Sequence, residues 1–204
     1  MTNQELFIIR HGETDFNRRS IVQGRGMDTD LNATGKAQAD AFYKAYHHLP
    51  FEQIFISELR RTEQTVQPFI DQGLPVKKWA GLDEFNWGMF EGRSFGDFHH
   101  DYRNLVDSWC RGDYDARPPG GESPAEVALR QRAVIEALEK DTAQTILLCM
   151  HGRAMRLFLC QLLQRPFSDM DSFEHSNLSL YQLRFEAGLW KLLKANDTAH
   201  LSLL

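Results

Sequence analysis

A chain of 204 residues with 42% hydrophobic and 25% charged side chains is long enough to bury one core of ordinary domain size, and no shift in composition marks a second. Its formal charge of −5 argues against a general nucleic-acid or membrane surface, which calls for a basic face. Cys110, Cys149 and Cys160 show no metal-binding spacing and suit reduced thiols, and with no secretion-type start and no stretch able to span a bilayer the chain reads as cytoplasmic.

The first element is an apolar strand over residues 6–9 that runs straight into Arg10, His11 and Gly12. Such a run closing on a glycine turn reads as a central strand of an α/β sheet, and these sheets bind ligands at the carboxyl ends of their strands. Arg10 offers a permanently charged fork for phosphate or carboxylate, and His11 offers a lone pair. Residues 15–30, polar and rich in Arg and Gly, read as a long loop over the strand ends. A helix follows Leu31, with Ala37, Ala41, Phe42, Ala45 and Leu49 as its apolar face. His47 and His48 near its end complement the helix dipole or face water. Residues 54–57 are the next strand, leading into a helix that Pro68 is expected to end or kink. Residues 75–79 read as a short outer strand. Residues 94–119, aromatic, acidic and broken by Gly and Pro, read as short helices lidding a site. His99 and His100 are adjacent on such a helix and do not converge on a metal. Ser123 to Glu126 form a capping box with Pro124 at the first helical position, and the helix runs on through Val127, Val134, Ile135 and Leu138. A second apolar strand, residues 145–150, ends in His151 and Gly152 before a helical stretch over 153–163. Tyr181, Leu183 and Phe185 alternate with polar residues and face residues 189–192 across Ala187 and Gly188, a terminal hairpin.

Two apolar strands that each deliver a histidine and a glycine are the central coincidence of the chain. Arg10-His11-Gly12-Glu13-Thr14 with Asn17, together with His151-Gly152, resembles the signature of the histidine phosphatase superfamily, the phosphoglycerate mutase-like proteins, over most of the chain. The resemblance implies an α/β fold: a three-layer α/β/α sandwich with a mostly parallel central sheet and a C-terminal hairpin. It also implies a single domain over 1–204, with 93–120 as a lid-like insertion. Residues 57–65 are similar to the family's Ser-x-Leu-x-Arg-x-x-x-Thr segment, which makes Arg61 the second phosphate-binding arginine and points Arg60 elsewhere. Residues 82–92 are similar to Leu-x-Glu-x-x-x-Gly-x-x-Glu-Gly, which makes Glu84 the proton donor. Asp83 is its rival on the opposite side of an extended backbone, and Glu91 reads as a structural carboxylate. Asn17, Gln23 and Gly24 fall where the family contacts phosphate, Gly152 beside the second histidine, and Asn177 where the family keeps a residue near the pocket. The chain departs from the pattern at Met150, where a small residue is common, and at Arg153, where a second glycine is common. Arg153 either extends the anion site or covers the helix start.

Together these residues imply a phosphoryl-transfer site with His11 as nucleophile, Arg10, Arg61 and His151 around the phosphate, Glu84 as acid, and neither metal nor cofactor. His11 must be neutral to attack, and Arg10 and Arg61 are expected to push its pKa down from about 6.5. A glutamic acid with an ordinary pKa of about 4.3 needs a rise of about 3 to serve as an acid near pH 7. Desolvation by Phe85, Trp87 or the lid, with the bound phosphate dianion, is the expected source; otherwise activity peaks below neutral. The function implied is metal-independent hydrolysis of a small phosphomonoester through a phosphohistidine. A cofactor-dependent phosphoglycerate mutase is the alternative, disfavoured because residues 93–120 are short and Arg93, Arg103, Arg111 and Arg117 are scattered. The other is a non-catalytic module that binds phosphorylated ligands.

Overall fold

The computed structural model describes residues 4–202 and 204. Six strands form one sheet: β1 (Gln4–Arg10), β2 (Gln53–Ile56), β3 (Val76–Lys78), β4 (Thr145–Met150), β5 (Leu180–Glu186) and β6 (Leu189–Asp197). Their order is β3-β2-β4-β1-β5-β6; the first four run parallel and the last two add an antiparallel hairpin. The expected α/β sandwich is therefore present. Helices α2 (Ala33–Tyr46) and α3 (Arg60–Ile70) lie on one face, α5 (Pro124–Lys140) and α6 (Gly152–Leu162) on the other.

The central strands are continuously apolar over residues 6–9, 54–56 and 146–150 because both faces are covered. Phe7, Ile9, Ile54, Ile56, Leu147 and Cys149 pack with Phe42 of α2 and Val66 and Phe69 of α3. The alternate residues, Leu6, Ile8, Phe55, Ile146, Leu148 and Met150, pack with Val127, Val134 and Leu138 of α5 and Phe158 of α6. Registration then sets the site. β1 and β4 are parallel neighbours with Arg10 opposite Met150, so His11 and His151 leave the same end of the sheet side by side.

Three local expectations change. The loop over 15–30 contains a short helix, α1 (Asp15–Arg18), because Thr14 and Asn17 cap it reciprocally. The buried face of α2 is Gly35, Ala39 and Phe42, while Ala37, Ala41 and Ala45 are only half-buried. Alanines bury too little area to orient a helix against Phe42, and Gly35 admits the Glu13 backbone where a Cβ would stand 2.1 Å from Glu13 O. Pro68 neither stops nor shortens α3, which continues to Ile70, since a proline this near the end removes one backbone bond from the final turn. The capping box of Ser123 and Glu126 and the N1 Pro124 open α5 as read.

Between β3 and α5 the chain leaves the sheet. It forms α4 (His99–Cys110), whose Trp109 is buried among Phe85 and Trp87 and donates from Nε1 to Ala116 O at 2.8 Å. Phe95 and Tyr102 from the same excursion reach the cavity at the strand ends. Cys149 and Cys160 are buried and Cys110 is exposed. Among the described residues, no helix is long and apolar enough to cross a membrane.

Candidate active site

The two histidine rings lie 5.1 Å apart between centroids, inclined at 57°. Their partners fix opposite tautomers. Nδ1 of His11 faces Gly12 O at 2.7 Å, and a carbonyl only accepts, so Nδ1 carries the hydrogen and Nε2 keeps the lone pair. His151 Nδ1 accepts from Arg61 Nε at 3.2 Å, so its Nε2 holds the hydrogen and donates to Ser57 Oγ at 2.8 Å. Burial, then the Arg61 charge, holds both imidazoles well below the ordinary histidine range. Neutrality of His11 thus arises first from desolvation and only second from the arginines that the sequence suggested.

Arg61 is fully buried and donates to Met27 O at 2.7 Å and Gly24 O at 3.3 Å besides His151. Burial lowers its pKa to about 10, which leaves it a cation at neutral pH. Thr65, one turn on, accepts the Gly12 N–H at 2.9 Å and ties α3 to the loop after β1. Arg10 is likewise lowered to about 10 by burial; its Nη1 donates to His175 Nδ1 at 3.3 Å, and its Nε is buried without a partner among the described residues. An arginine has no acceptor, so His175 Nδ1 is the unprotonated nitrogen and Nε2 the donor. Burial and the neighbouring Arg10 bring the His175 pKa down to about 3.

Glu84 is buried on the cavity wall, and both carboxylate oxygens accept. Oε1 takes the N–H of Phe85 at 2.9 Å and of Ala154 at 2.8 Å, and Oε2 takes that of Arg153 at 3.0 Å. These last two N–H groups belong to the first turn of α6, so Glu84 caps that helix from another segment. Its neighbour Asp83 turns the other way, to Glu58 N at 3.0 Å and Arg25 Nη2 at 3.3 Å. Burial raises the Asp83 pKa against these partners. Glu91 Oε1 accepts from Trp87 N at 3.0 Å, and Arg60 pairs with Asp28 and Asp30 at the surface.

The cavity between these groups has a volume of about 320 Å³ and is lined by Arg10, His11, Asn17, Gln23, Glu84 and Gly152 of the expected set. Arg61 and His151 stand behind this lining. Gly24 and Asn177 act at one remove. A Cβ on Gly24 would meet Glu91 Oε1 at 2.0 Å and Phe85 O at 2.5 Å, so glycine is needed there for packing. Asn177 Nδ2 donates to His11 O at 2.9 Å and to Asn17 Oδ1 at 3.2 Å, positioning both. Gly152 is compact because a Cβ would stand 2.6 Å from His175 Cε1. Sequence reasoning passed over Ser57, Arg156 and His175. Ser57 opens the segment that pointed to Arg61, Arg156 lies one helical turn beyond Arg153, and His175 lies two residues before Asn177.

The family model described as histidine phosphatase superfamily (branch 1) matches residues 6–198. The chain belongs to that superfamily. A Yersinia enterocolitica protein named probable phosphoglycerate mutase GpmB is 32% identical over 206 aligned residues, covering 98% of this chain and 95% of the relative. Among superfamily structures, the mycobacterial glucosyl-3-phosphoglycerate phosphatase complexed with VO3 superposes with a TM-score of 0.86 at 28% identity, covering 96% of this chain and 100% of its own. The alpha-ribazole phosphatase from Shigella flexneri does so with a TM-score of 0.83 at 26% identity, covering 95% and 96%.

Proposed function

We propose that this protein is a metal-independent phosphomonoesterase that works through a phosphohistidine. The observation that carries the reading is the His11 tautomer: its Nδ1–H is held by Gly12 O, so a neutral, desolvated Nε2 lone pair is left for attack. Nε2 attacks phosphorus as the ester P–O bond breaks, and Glu84 gives its proton to the departing oxygen. Water then attacks the phosphohistidine, Glu84 takes a proton from that water, and inorganic phosphate leaves with His11 restored. Arg10 and Arg61, with the neutral His151 beside Arg61, stabilise the charge on the equatorial oxygens. The residues over 93–120 act as the cover of this site, through Phe95 and Tyr102.

The named phosphatases among the superposing structures support hydrolysis, while the name of the 32% identical relative supports phosphoglycerate mutase chemistry as the second reading. Both share the first half-reaction. Protein incubated with radiolabelled phosphate ester and denatured in detergent at alkaline pH is expected to carry an alkali-stable adduct that acid releases and His11→Ala abolishes, with inorganic phosphate released from an ester panel. An adduct with interconversion of 2- and 3-phosphoglycerate and little free phosphate selects the mutase; no adduct and no phosphate with any ester overturns both.

A further inference from the structure

The two arginines of the phosphate corner are held by uncharged acceptors. Arg61 donates to two carbonyls and to His151 Nδ1, and Arg10 donates to His175 Nδ1 at 3.3 Å; among the described residues neither takes part in an ion pair. The arginines around them are paired with carboxylates instead: Arg25 with Asp83 and Glu122, Arg130 with Glu122, and Arg153 and Arg156 with Asp171. Each phosphate arginine thus rests on one imidazole. His151 already has a place in the proposed reaction; His175 has none.

A short segment anchored on Arg10 itself brings His175 there. Ser179 O accepts the Arg10 N–H at 3.4 Å, and Leu178 N donates to Arg10 O at 3.1 Å. Leu178 adopts a φ of 56° in this turn, a left-handed conformation that a leucine keeps only where its surroundings hold it. Gly152 leaves room for the pair, since a Cβ there would stand 2.6 Å from His175 Cε1 and 3.4 Å from Arg10 Nε. The bond to His175 is the only side-chain hydrogen bond of Arg10 among the described residues, and it fixes one end of a guanidinium whose Nε stays buried with no partner among them.

The choice of holder matters for charge. A carboxylate would fix Arg10 as firmly, but at hydrogen-bond distance it would cancel much of the positive charge that a phosphate dianion needs. A neutral nitrogen accepts one N–H and leaves the cation whole. Burial, then the charges of Arg10, Arg156 and Arg153, keep the ring unprotonated by bringing its pKa down to about 3. We propose that His175 is the positioning residue of Arg10, fixing the guanidinium in the cavity through an uncharged acceptor as His151 does for Arg61. The proposal rests on the phosphate-binding reading of the same cavity.

Substitutions at this position separate hold from charge. His175→Asn and His175→Asp both place an oxygen near the position of Nδ1 and share one shape, differing by a charge, whereas His175→Leu offers no acceptor. Dissociation constants for inorganic phosphate are measured by calorimetry, and kcat/KM for p-nitrophenyl phosphate by steady-state turnover, in the wild-type background and in Arg10→Met. His175→Asn is expected to stay within fivefold of wild type in both readouts, while His175→Asp and His175→Leu each lose at least tenfold relative to His175→Asn. In the Arg10→Met background these gaps should shrink below threefold, because the residue acts through Arg10; a purely structural ring would keep them. Gaps that persist there, or the absence of any gap between His175→Asn and the other two in the wild-type background, overturn the proposal. If His175→Leu fails to fold, the pair His175→Asn and His175→Asp carries the test alone. Phosphate binding that follows the expected pattern without turnover upholds the role of His175 and defeats the hydrolase. Turnover with no gap does the reverse, and a wild type that neither binds phosphate nor turns over ester defeats both.

Discussion

At the scale of the residue, Glu84 has two jobs that conflict. It accepts three backbone N–H groups, two of which it caps at the start of α6; as the acid of the proposed reaction it must offer a proton to the leaving oxygen. Glu84→Gln separates the two. The amide has one acceptor oxygen, so one N–H of Arg153 or Ala154 meets an NH₂ group, and the leaving oxygen loses its proton source. With an alkyl phosphate the substitution is expected to lower kcat by roughly 10²–10⁴-fold, the usual range for general acid catalysis. With p-nitrophenyl phosphate, whose phenolate departs unprotonated, the loss should be much smaller. Equal losses on the two substrates would show that Glu84 matters as a cap and not as an acid.

At the scale of the element, the site depends on how α5 and α6 grip the segment that carries Glu84. The His151 side chain is engaged with Ser57 and Arg61 and makes no cap, so α6 takes its cap from Glu84. Arg130 of α5 holds that segment by its backbone, donating to Ala80 O at 3.2 Å, Gly81 O at 2.9 Å and Glu84 O at 3.0 Å while paired with Glu122 at 3.0 Å. Glu122 in turn accepts the Asn86 N–H at 2.8 Å. Arg130→Met strands the carbonyls of Ala80, Gly81 and Glu84 and leaves Glu122 with Arg25 alone, at 3.3 Å, at a cost of about 1–3 kcal/mol. Denaturant unfolding is expected to show that loss. Under folding conditions kcat should fall more than KM rises, because the acid is misplaced and not the phosphate site. An unchanged kcat in folded Arg130→Met would mean that α6 alone places Glu84.

Across the whole molecule, the neutral histidines at the strand ends tie stability to pH. His11, His151 and His175 have pKa values below the unfolded value of 6.5, so from pH 6.5 downward the unfolded chain binds protons that the folded chain refuses. Stability contributed by their neutrality is complete above pH 6.5 and declines as pH falls, for His175 until about pH 3. Each histidine steepens the decline by at most about 1.4 kcal/mol per pH unit, and three by about 4. Urea titrations at pH 7, 6 and 5 should therefore show unfolding free energy dropping with acid, and His175→Gln should remove about one proton from the slope. The same slope in that variant would mean that His175 is protonated in the fold.

The sequence by itself determined the sheet, the strand ends that carry Arg10, His11 and His151, and the capping box of α5. These signals are local: an apolar run closing on glycine, or a serine three residues before a glutamate, carries its physical cause within a few positions. The family segments likewise led to Arg61 and Glu84. Tertiary structure alone decided which groups line the cavity and which support it. Gly24 and Asn177 serve through other residues, while Ser57 and His175 complete the hydrogen bonds of His151 and Arg10 across intervals of 94 and 165 residues. A hydrogen bond over such an interval leaves no periodicity in the chain, because the partners meet only when β2 pairs with β4 and β5 with β1. Arg153 and Arg156 show the same division: helical spacing makes them neighbours, and only the tertiary structure brings both to the carboxylate of Asp171, from the turn after α6.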